Sequence, residues 1–538
     1  MGAIRSTPNV QPHHRHWRAR GTVATVVLGL SISLLACQHN AQGDRITVAS
    51  AGRIASLDPA QASTYGTLQL LSALGDTLYR RDTDGSLRPQ LAAQPPQLSD
   101  GGLTVTIPLR RDVLFHDGSR FNAEAMAFSL RRFLQIGTQS YVVGDRIRAI
   151  ETPEPYVLRL RLNRPSSSLE SLLTSQYLTP ISPKAYLNHQ DRFLNNNFVG
   201  TGPYRLSSYT ATQQRLVPFR RYWGPAPVNG GLDLINLSNS TALFGALRSG
   251  EVDVLLSDSL DEDQRLALDR RAEQGQLQAS AGPALQIGYV TLLSNQPPLQ
   301  QQLVRQGLAH SLDRELISAR VSHHQRQPLR SLVPPSLRGG KPEPWPAYNP
   351  QRARTLLSQA GYCQGKRLEL PFTYRSNVPS DRLMALTWQA QLNRDLADCV
   401  ALQLEGVEST TVYRQLGEGA FKAVMLDWGG SYPDPEAYLA PLLSCTRSSG
   451  EVCEEGEAVI SGSFWTRPGL EQTLRRSDSL LGQERLKLLL QIDREAAEGA
   501  AYLPVWLVTP KAWAQNRLAP LEFDGSGQLQ LARLREKR

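Results

Sequence analysis

Phe115-His116-Asp117-Gly118 sets an imidazole beside a carboxylate, the pairing that general acid–base chemistry uses. Adjacent residues rarely share a site in the required orientation, and Asp-Gly is a strong turn former, so the segment reads as a turn. His323-His324 offers two imidazoles to a metal, but no carboxylate or cysteine stands beside them, and the pair reads as surface. Gly361-Tyr362-Cys363-Gln364-Gly365-Lys366 has neither the glycine spacing of a phosphate loop nor a Ser or Thr after the lysine. A nucleophile elbow and a zinc-protease helix motif are also missing from the sequence. Catalysis thus has no visible seat: the expectation is a protein that is not an enzyme and needs no metal or cofactor.

Short strands and amphipathic helices must position whatever site exists. Leu103 to Arg110 and Tyr156 to Leu162 alternate apolar and polar residues at period two, the mark of half-buried antiparallel strands. Ala123 to Gln135 groups Met126, Phe128, Leu130, Phe133 and Leu134 largely on one helical side, with Asn122 as N-cap. Asn349-Pro350 opens a helix that stops at Gly361, and a long helix is expected from Ser380 to Leu396. The elements read as mixed α/β with antiparallel strands in the sheets.

The N-terminus carries Arg5, Arg15, Arg18 and Arg20, then an uncharged apolar run from Thr22 to Leu35 that ends on Ala36-Cys37. That run is shorter than the roughly 20 residues a membrane span needs, and a small residue before cysteine suits a signal peptidase. Residues 1–36 are therefore expected to be a lipoprotein signal, with Cys37 as the lipidated first residue of the mature chain; two or three acyl chains would hold it firmly to a membrane. The alternatives are a plain secretory signal and a short membrane anchor. The other cysteines, Cys363, Cys399, Cys445 and Cys453, are even in number and suit an oxidising compartment. Two disulfides are expected, Cys445 with Cys453 and Cys363 with Cys399, although four cysteines allow three pairings.

Net charge is +9; removing four arginines with the signal leaves +5, spread without a basic run, so no nucleic-acid partner is expected. About 500 mature residues exceed one hydrophobic core, and two or three domains are expected.

A series of strings runs in order along the mature chain: Ser56-Leu57-Asp58-Pro59-Ala60, Asp76-Thr77-Leu78-Tyr79, and Leu109 through Gly118 followed by Phe121-Asn122-Ala123. Then come Gly200-Thr201-Gly202-Pro203-Tyr204, Tyr222-Trp223-Gly224, Gly250-Glu251-Val252-Asp253, Leu312-Asp313-Arg314, Ala360-Gly361-Tyr362 and Tyr432-Pro433-Asp434-Pro435. This series resembles the family 5 solute-binding proteins of ABC importers, the peptide and nickel binding group. Read without the family, Gly200, Gly202 and Pro203 set tight backbone angles and make a hinge, because glycine tolerates positive φ. Tyr222-Trp223-Gly224 reads as a buried aromatic corner, and Asp313-Arg314 as an exposed pair.

The resemblance implies a periplasmic-binding-protein-like clamshell of the large three-domain subclass, with mixed sheets in two lobes. One lobe would comprise residues 45–78, 205–285 and 502–538, an inserted domain 79–204, and the second lobe 286–501. It also implies a periplasmic, monomeric protein that delivers ligand to a permease and its ATPase. Ligand would touch Ala62, Ser63, Thr64 and Tyr65 in one lobe and Trp428, Gly429, Gly430, Ser431 and Tyr432 in the other, with Asp434 near by. The peptide binders of the family carry an aspartate for the peptide ammonium where this chain has Ser431. A buried ammonium without a carboxylate costs several kcal/mol. Either Asp427 or Asp434 reaches the site, or the ligand lacks a free amine: oligopeptide is the default, with blocked peptide, opine, sugar or nickel chelate as alternatives and a secreted hydrolase as the most distant.

Overall fold

Three sheets carry the architecture in the computed structural model, which describes residues 45–537 except 52, 63, 145, 238, 257–259 and the side chain of Tyr141. Residues 1–36, Cys37 and Ser63 lie outside the described residues. The first sheet has seven strands in the order Leu277–Ala281, Lys511–Gln515, Val254–Leu256, Arg45–Ala51, Gly231–Leu237, Gln213–Pro218 and Tyr204–Tyr209. Its middle is parallel, with Val48 opposite both Leu234 and Val254, and its flanks are antiparallel. The second has six strands: Gln327–Pro328, Tyr502–Val508, Gln286–Leu292, Ala423–Gly429, Leu368–Arg375 and Val400–Val407. The third has four, Gln97–Ser99, Thr104–Pro108, Val157–Leu162 and Ile147–Glu154, all antiparallel. The chain is thus mixed α/β.

Local sequence explains these elements. In Val157–Leu162 every second residue, Leu158, Leu160 and Leu162, is buried, and Val105 stands opposite Leu160 on the neighbouring strand. Helix Ala123–Ile136 begins where the Asn122 side chain accepts from Ala125 N, and Pro350–Gln359 begins where Asn349 accepts from Arg352 N. The chain leaves the second of these through Gly361 at φ +89°, a left-handed position suited to glycine. Helix Pro379–Asp395 buries Met384, Trp388 and Leu392, and the Trp388 ring meets Phe372 of the second sheet edge-on at 5.5 Å.

Disulfides join Cys363 to Cys399 and Cys445 to Cys453. The first links the turn after helix Pro350–Gln359 to the start of strand Val400–Val407, and the second closes the hairpin of Arg447–Ser449 with Val452–Glu455. No helix among the described residues is long and apolar enough to cross a membrane.

The Asp313-Arg314 pair corrects the sequence reading. Arg314 is buried; its Nε donates to Pro504 O at 2.6 Å and its Nη1 to Pro346 O at 3.2 Å. Asp313 instead caps helix Arg314–Ser322 through Leu316 N. Backbone carbonyls, invisible in the sequence, take the Nε and Nη1 of a guanidinium that a helical pattern would assign to solvent, while its Nη2 has no partner among the described residues.

Candidate functional site

Strand Ala423–Gly429 leaves the core through buried Val424, Met425 and Leu426, then ends on Trp428-Gly429 and turns through 430–435 into helix Glu436–Leu443. The turn is locked. A Cβ at Gly430 would lie 2.6 Å from the Tyr438 ring, so only glycine fits. Trp428 Nε1 donates to Ala437 O at 2.8 Å, and Asp434 accepts from Glu436 N at 2.9 Å. Both Asp434 oxygens also accept from Arg485, each at 2.8 Å. Residues from the other side hold the same backbone: Ser175 Oγ donates to Ser431 O at 2.9 Å, and Ser171 Oγ and the Arg81 guanidinium donate to Pro433 O.

Between this turn and residues 142–164 lies a cavity of about 350 Å³, near the small end of the roughly 300–1,000 Å³ typical of ligand pockets. Trp428, Ser431, Tyr432, Ala440 and Leu474 line it together with Val142 and Gly144. Its charged lining is mixed. Arg146, itself buried, donates to the Glu436 carboxylate, which also accepts from Arg485 Nη2 at 3.3 Å. Burial works to raise the Glu436 carboxyl, but the Arg146 and Arg485 charges outweigh it and hold its pKa below the ordinary value. Asp478, across the cavity wall, is pushed up to about 6 by burial and by the Glu436 charge. Arg164 Nε stands 3.4 Å from Asp478 Oδ2. Among the described residues, Asp478 Oδ1 and Arg146 Nε have no hydrogen-bond partner.

Of the residues singled out by the sequence, Trp428, Ser431 and Tyr432 border this cavity, while Gly429 and Gly430 shape the turn behind them. Asp434 faces Arg485. Asp427 also faces away, accepting from Arg375 Nη1 at 2.7 Å, Tyr413 Oη at 3.1 Å and Gln286 Nε2 at 3.1 Å. Neither acid lines the cavity. Ala62 is buried under the first sheet, Thr64 caps helix Tyr65–Leu74 through Thr67 N, and Tyr65 Oη donates to Gly527 O at 3.0 Å; none of the three borders the cavity. Arg146, Glu436, Asp478 and Arg485 escaped the sequence reading. Only Glu436, an acid opening an otherwise uncharged helix, carries a local signal.

A second convergence ties the sequence strings together. Asp76 is buried and accepts from Tyr222 Oη and Trp223 Nε1, both at 2.9 Å, from Thr201 Oγ1 at 3.0 Å and from Gln90 Nε2 at 2.8 Å. Burial still pushes its carboxyl up to about 6. Gly200 and Gly202 do not adopt positive φ, which corrects the reason for their being glycine. A Cβ on Gly202 would lie 2.5 Å from Gly75 N and from Leu74 C, and one on Gly200 2.7 Å from Leu74 O. Close backbone approach, confirmed by Gly202 N donating to Leu74 O at 3.0 Å, is the physical requirement. The Phe115–Gly118 segment is a turn, with Gly118 at φ +83° and Asp117 accepting from Ser119 N and Ser182 Oγ.

His116 packs into the same junction, its backbone N donating to Gly200 O at 2.9 Å and its ring Nε2 to Gly202 O at 3.1 Å. Burial holds its pKa down to about 4. A depressed imidazole contributes stability that is present above its unfolded pKa, about 6.5, and is lost as pH falls through the folded value. His116→Gln keeps a donor for Gly202 O but cannot titrate. Urea unfolding at pH 7 and pH 5 should show the wild type losing about 2 kcal/mol more than this variant on acidification; equal losses would mean the ring is not held neutral.

Comparison with known proteins shows the family and the fold. The glutathione-binding protein GsiB of Salmonella choleraesuis (strain SC-B67) is 28% identical over 423 residues, covering 78% of this chain and 81% of that protein. The dipeptide binding protein of Pseudoalteromonas sp. SM9913, solved with Met-Leu, superposes with a TM-score of 0.76 at 23% identity over 91% of this chain and all of that one. NikA from Brucella suis, solved with Fe(III)-EDTA, gives 0.78 at 21% identity with the same coverage. The sequence profile of the bacterial extracellular solute-binding proteins, family 5 Middle, matches residues 86–450, and the chain belongs to that family.

Proposed function

We propose that this protein captures short peptides in the cavity between residues 142–164 and 428–478 and delivers them unchanged to the permease of an ABC importer. The observation that carries the reading is the cavity lining: an indole and a tyrosine at the end of one strand, facing a wall that holds both guanidinium and carboxyl groups. Such a lining suits a small ligand with both charges and an apolar body, as a peptide has. The names of similar proteins, one for glutathione and one for a dipeptide, support the same class. In this reading the lobes divide at 45–78 with 205–285 and 502–538, at 79–204, and at 286–501, with Gly200, Gly202 and Pro203 at the point of flexure. Closure around ligand follows its difference in affinity for the open and closed forms. The mature protein begins at a lipidated Cys37, works as a monomer outside the cytoplasmic membrane and carries out no chemistry.

A thermal-shift panel of unblocked di-, tri- and tetrapeptides tests this. A bound peptide at about 100 times its Kd should add about 2.7 kcal/mol of stability and be recovered intact. Protection by no peptide, or recovery of cleaved product, would overturn the reading.

A further inference from the structure

A second cavity, of about 670 Å³, opens on the surface between the first turns of helix Ala123–Ile136 and residues 183–190. Ala125, Phe128 and Pro183 give it an apolar lining, and Arg120, Arg131 and Lys184 stand exposed around it. Arg132 borders it too, but is spent on Asp58, whose oxygens accept from Nη1 at 2.9 Å and Nη2 at 2.6 Å. Glu124 is the acid of the lining, and it accepts from Thr152 Oγ1.

The basic character continues past the cavity. Arg221 reaches the turn at Gly118, where a Cβ would lie 3.6 Å from its Nη1, and the next residue, Ser119, borders the cavity. Arg205 stands close enough to His116, in the same turn, for its charge to oppose protonation of the ring. Asp117 is taken up by Ser119 N at 2.9 Å and by the hydroxyls of Ser119 and Ser182, both at 2.6 Å. Arg120, Lys184, Arg205, Arg220 and Arg221 are exposed, and among the described residues none of them forms an ion pair; Arg131 donates to the carbonyl of Ile150 at 2.8 Å. These cations lie far apart in the chain, so no basic run announces them, and the fold gathers them. Exposed cations of one sign on one face attract an anionic surface.

The same face adjoins the point where the chain enters the fold. Ile46, Leu232, Leu216 and Leu206 stand opposite one another across the first sheet. Arg45 and Arg205, each one residue earlier, are therefore three strand spacings apart, about 15 Å. The eight residue steps from Cys37 to Arg45 span at most about 28 Å even when fully extended. A bilayer that holds Cys37 is thus within reach of this face. We infer that the basic face around Arg120, Lys184, Arg205 and Arg221 docks on an anionic phospholipid surface, with phosphate headgroups seated in the cavity beside Phe128. The assignment rests on the lipid anchor at Cys37 and deepens it: the acyl chains hold the protein to the membrane, and the basic face sets which side lies against it.

The test uses the mature protein made without its acyl chains, sedimented with phosphatidylcholine vesicles and with vesicles containing about one third phosphatidylglycerol. Binding to the anionic vesicles should be at least tenfold tighter than to the neutral ones and should fall steeply as salt is raised. Arg120→Glu, Arg205→Glu and Arg221→Glu combined should weaken it at least tenfold with the melting temperature little changed. Lys341→Glu, Lys366→Glu and Lys487→Glu combined alter net charge equally at exposed positions elsewhere and should weaken it less than threefold. Equal binding to the two vesicles, binding to neither, or equal losses in the two triple variants would each overturn the assignment. Thermal protection by glycerol 3-phosphate without vesicle binding would overturn it as well, in favour of a small-anion site. The anchor is read separately, from the intact mass of protein extracted from membranes: an unmodified Cys37 would refute the anchor, whereas the vesicle result decides the basic face.

Discussion

Glu436→Ala should cost about 3–5 kcal/mol of stability, the range for removing one partner of a buried ion pair, and should abolish peptide protection. Glu436 is 4% exposed and is the carboxylate that meets Arg146. Without it, Arg146 keeps, among the described residues, hydrogen bonds to the carbonyls of Val142 at 3.2 Å and Val143 at 3.4 Å and the more distant charge of Asp478, which do not balance a buried guanidinium as the direct contact does. Arg485 is affected less, because Asp434 still holds it at two points. The cost is therefore asymmetric: Arg146→Met leaves Glu436 paired with Arg485 and should lose about half as much. Glu436→Leu combined with Arg146→Met should recover most of the loss, since replacing both members of a buried pair with apolar groups is often near neutral. Urea midpoints at constant m-value measure all three, and Glu436→Leu alone completes the double-mutant cycle with Arg146→Met. Additive losses would show that the two side chains do not act as a pair. The functional half follows from position: both residues line the cavity and join residues 142–164 to the 428–436 turn.

Asp76→Ala should be comparably severe, at about 4 kcal/mol. It strips the acceptor from four donors at once, those of Gln90, Thr201, Tyr222 and Trp223. Each buried donor left unmatched costs about 1–3 kcal/mol, less where water enters the space vacated by the carboxyl. The damage should reach beyond that contact, because Thr201 also accepts from Asp76 N and sits between the two glycines that press on Leu74 and Gly75. Asp76→Asn keeps one oxygen acceptor and should lose about half as much. Urea unfolding gives the magnitude; a loss below about 1 kcal/mol for the alanine variant would mean that the four donors find other partners.

These two clusters show what the sequence could and could not convey. Elements with strong periodicity and caps were legible: Val157–Leu162 from its alternation, Ala123–Ile136 and Pro350–Gln359 from Asn122 and Asn349. The order of the strings pointed to the family, yet not to the reason the strings exist. Asp76, Gly202 and the Tyr222-Trp223 pair read as separate turns and plugs, because their meeting depends on chain segments more than a hundred residues apart. The site divided in the same way. Trp428, Ser431 and Tyr432 carry a local signature, whereas Arg146 and Asp478 are single charged residues in ordinary surroundings, and only the packing of residues 142–164 against 428–478 gives them one cavity. Burial also reversed a simple expectation at Arg314, whose guanidinium finds its partners in backbone carbonyls.

The most direct measurement of the central claim is a crystal structure of the mature protein with the peptide that gives the largest thermal shift. An intact peptide is expected in the cavity between residues 142–164 and 428–478, in contact with Trp428 and Tyr432. A peptide bound elsewhere on the chain, or one found cleaved, would contradict it.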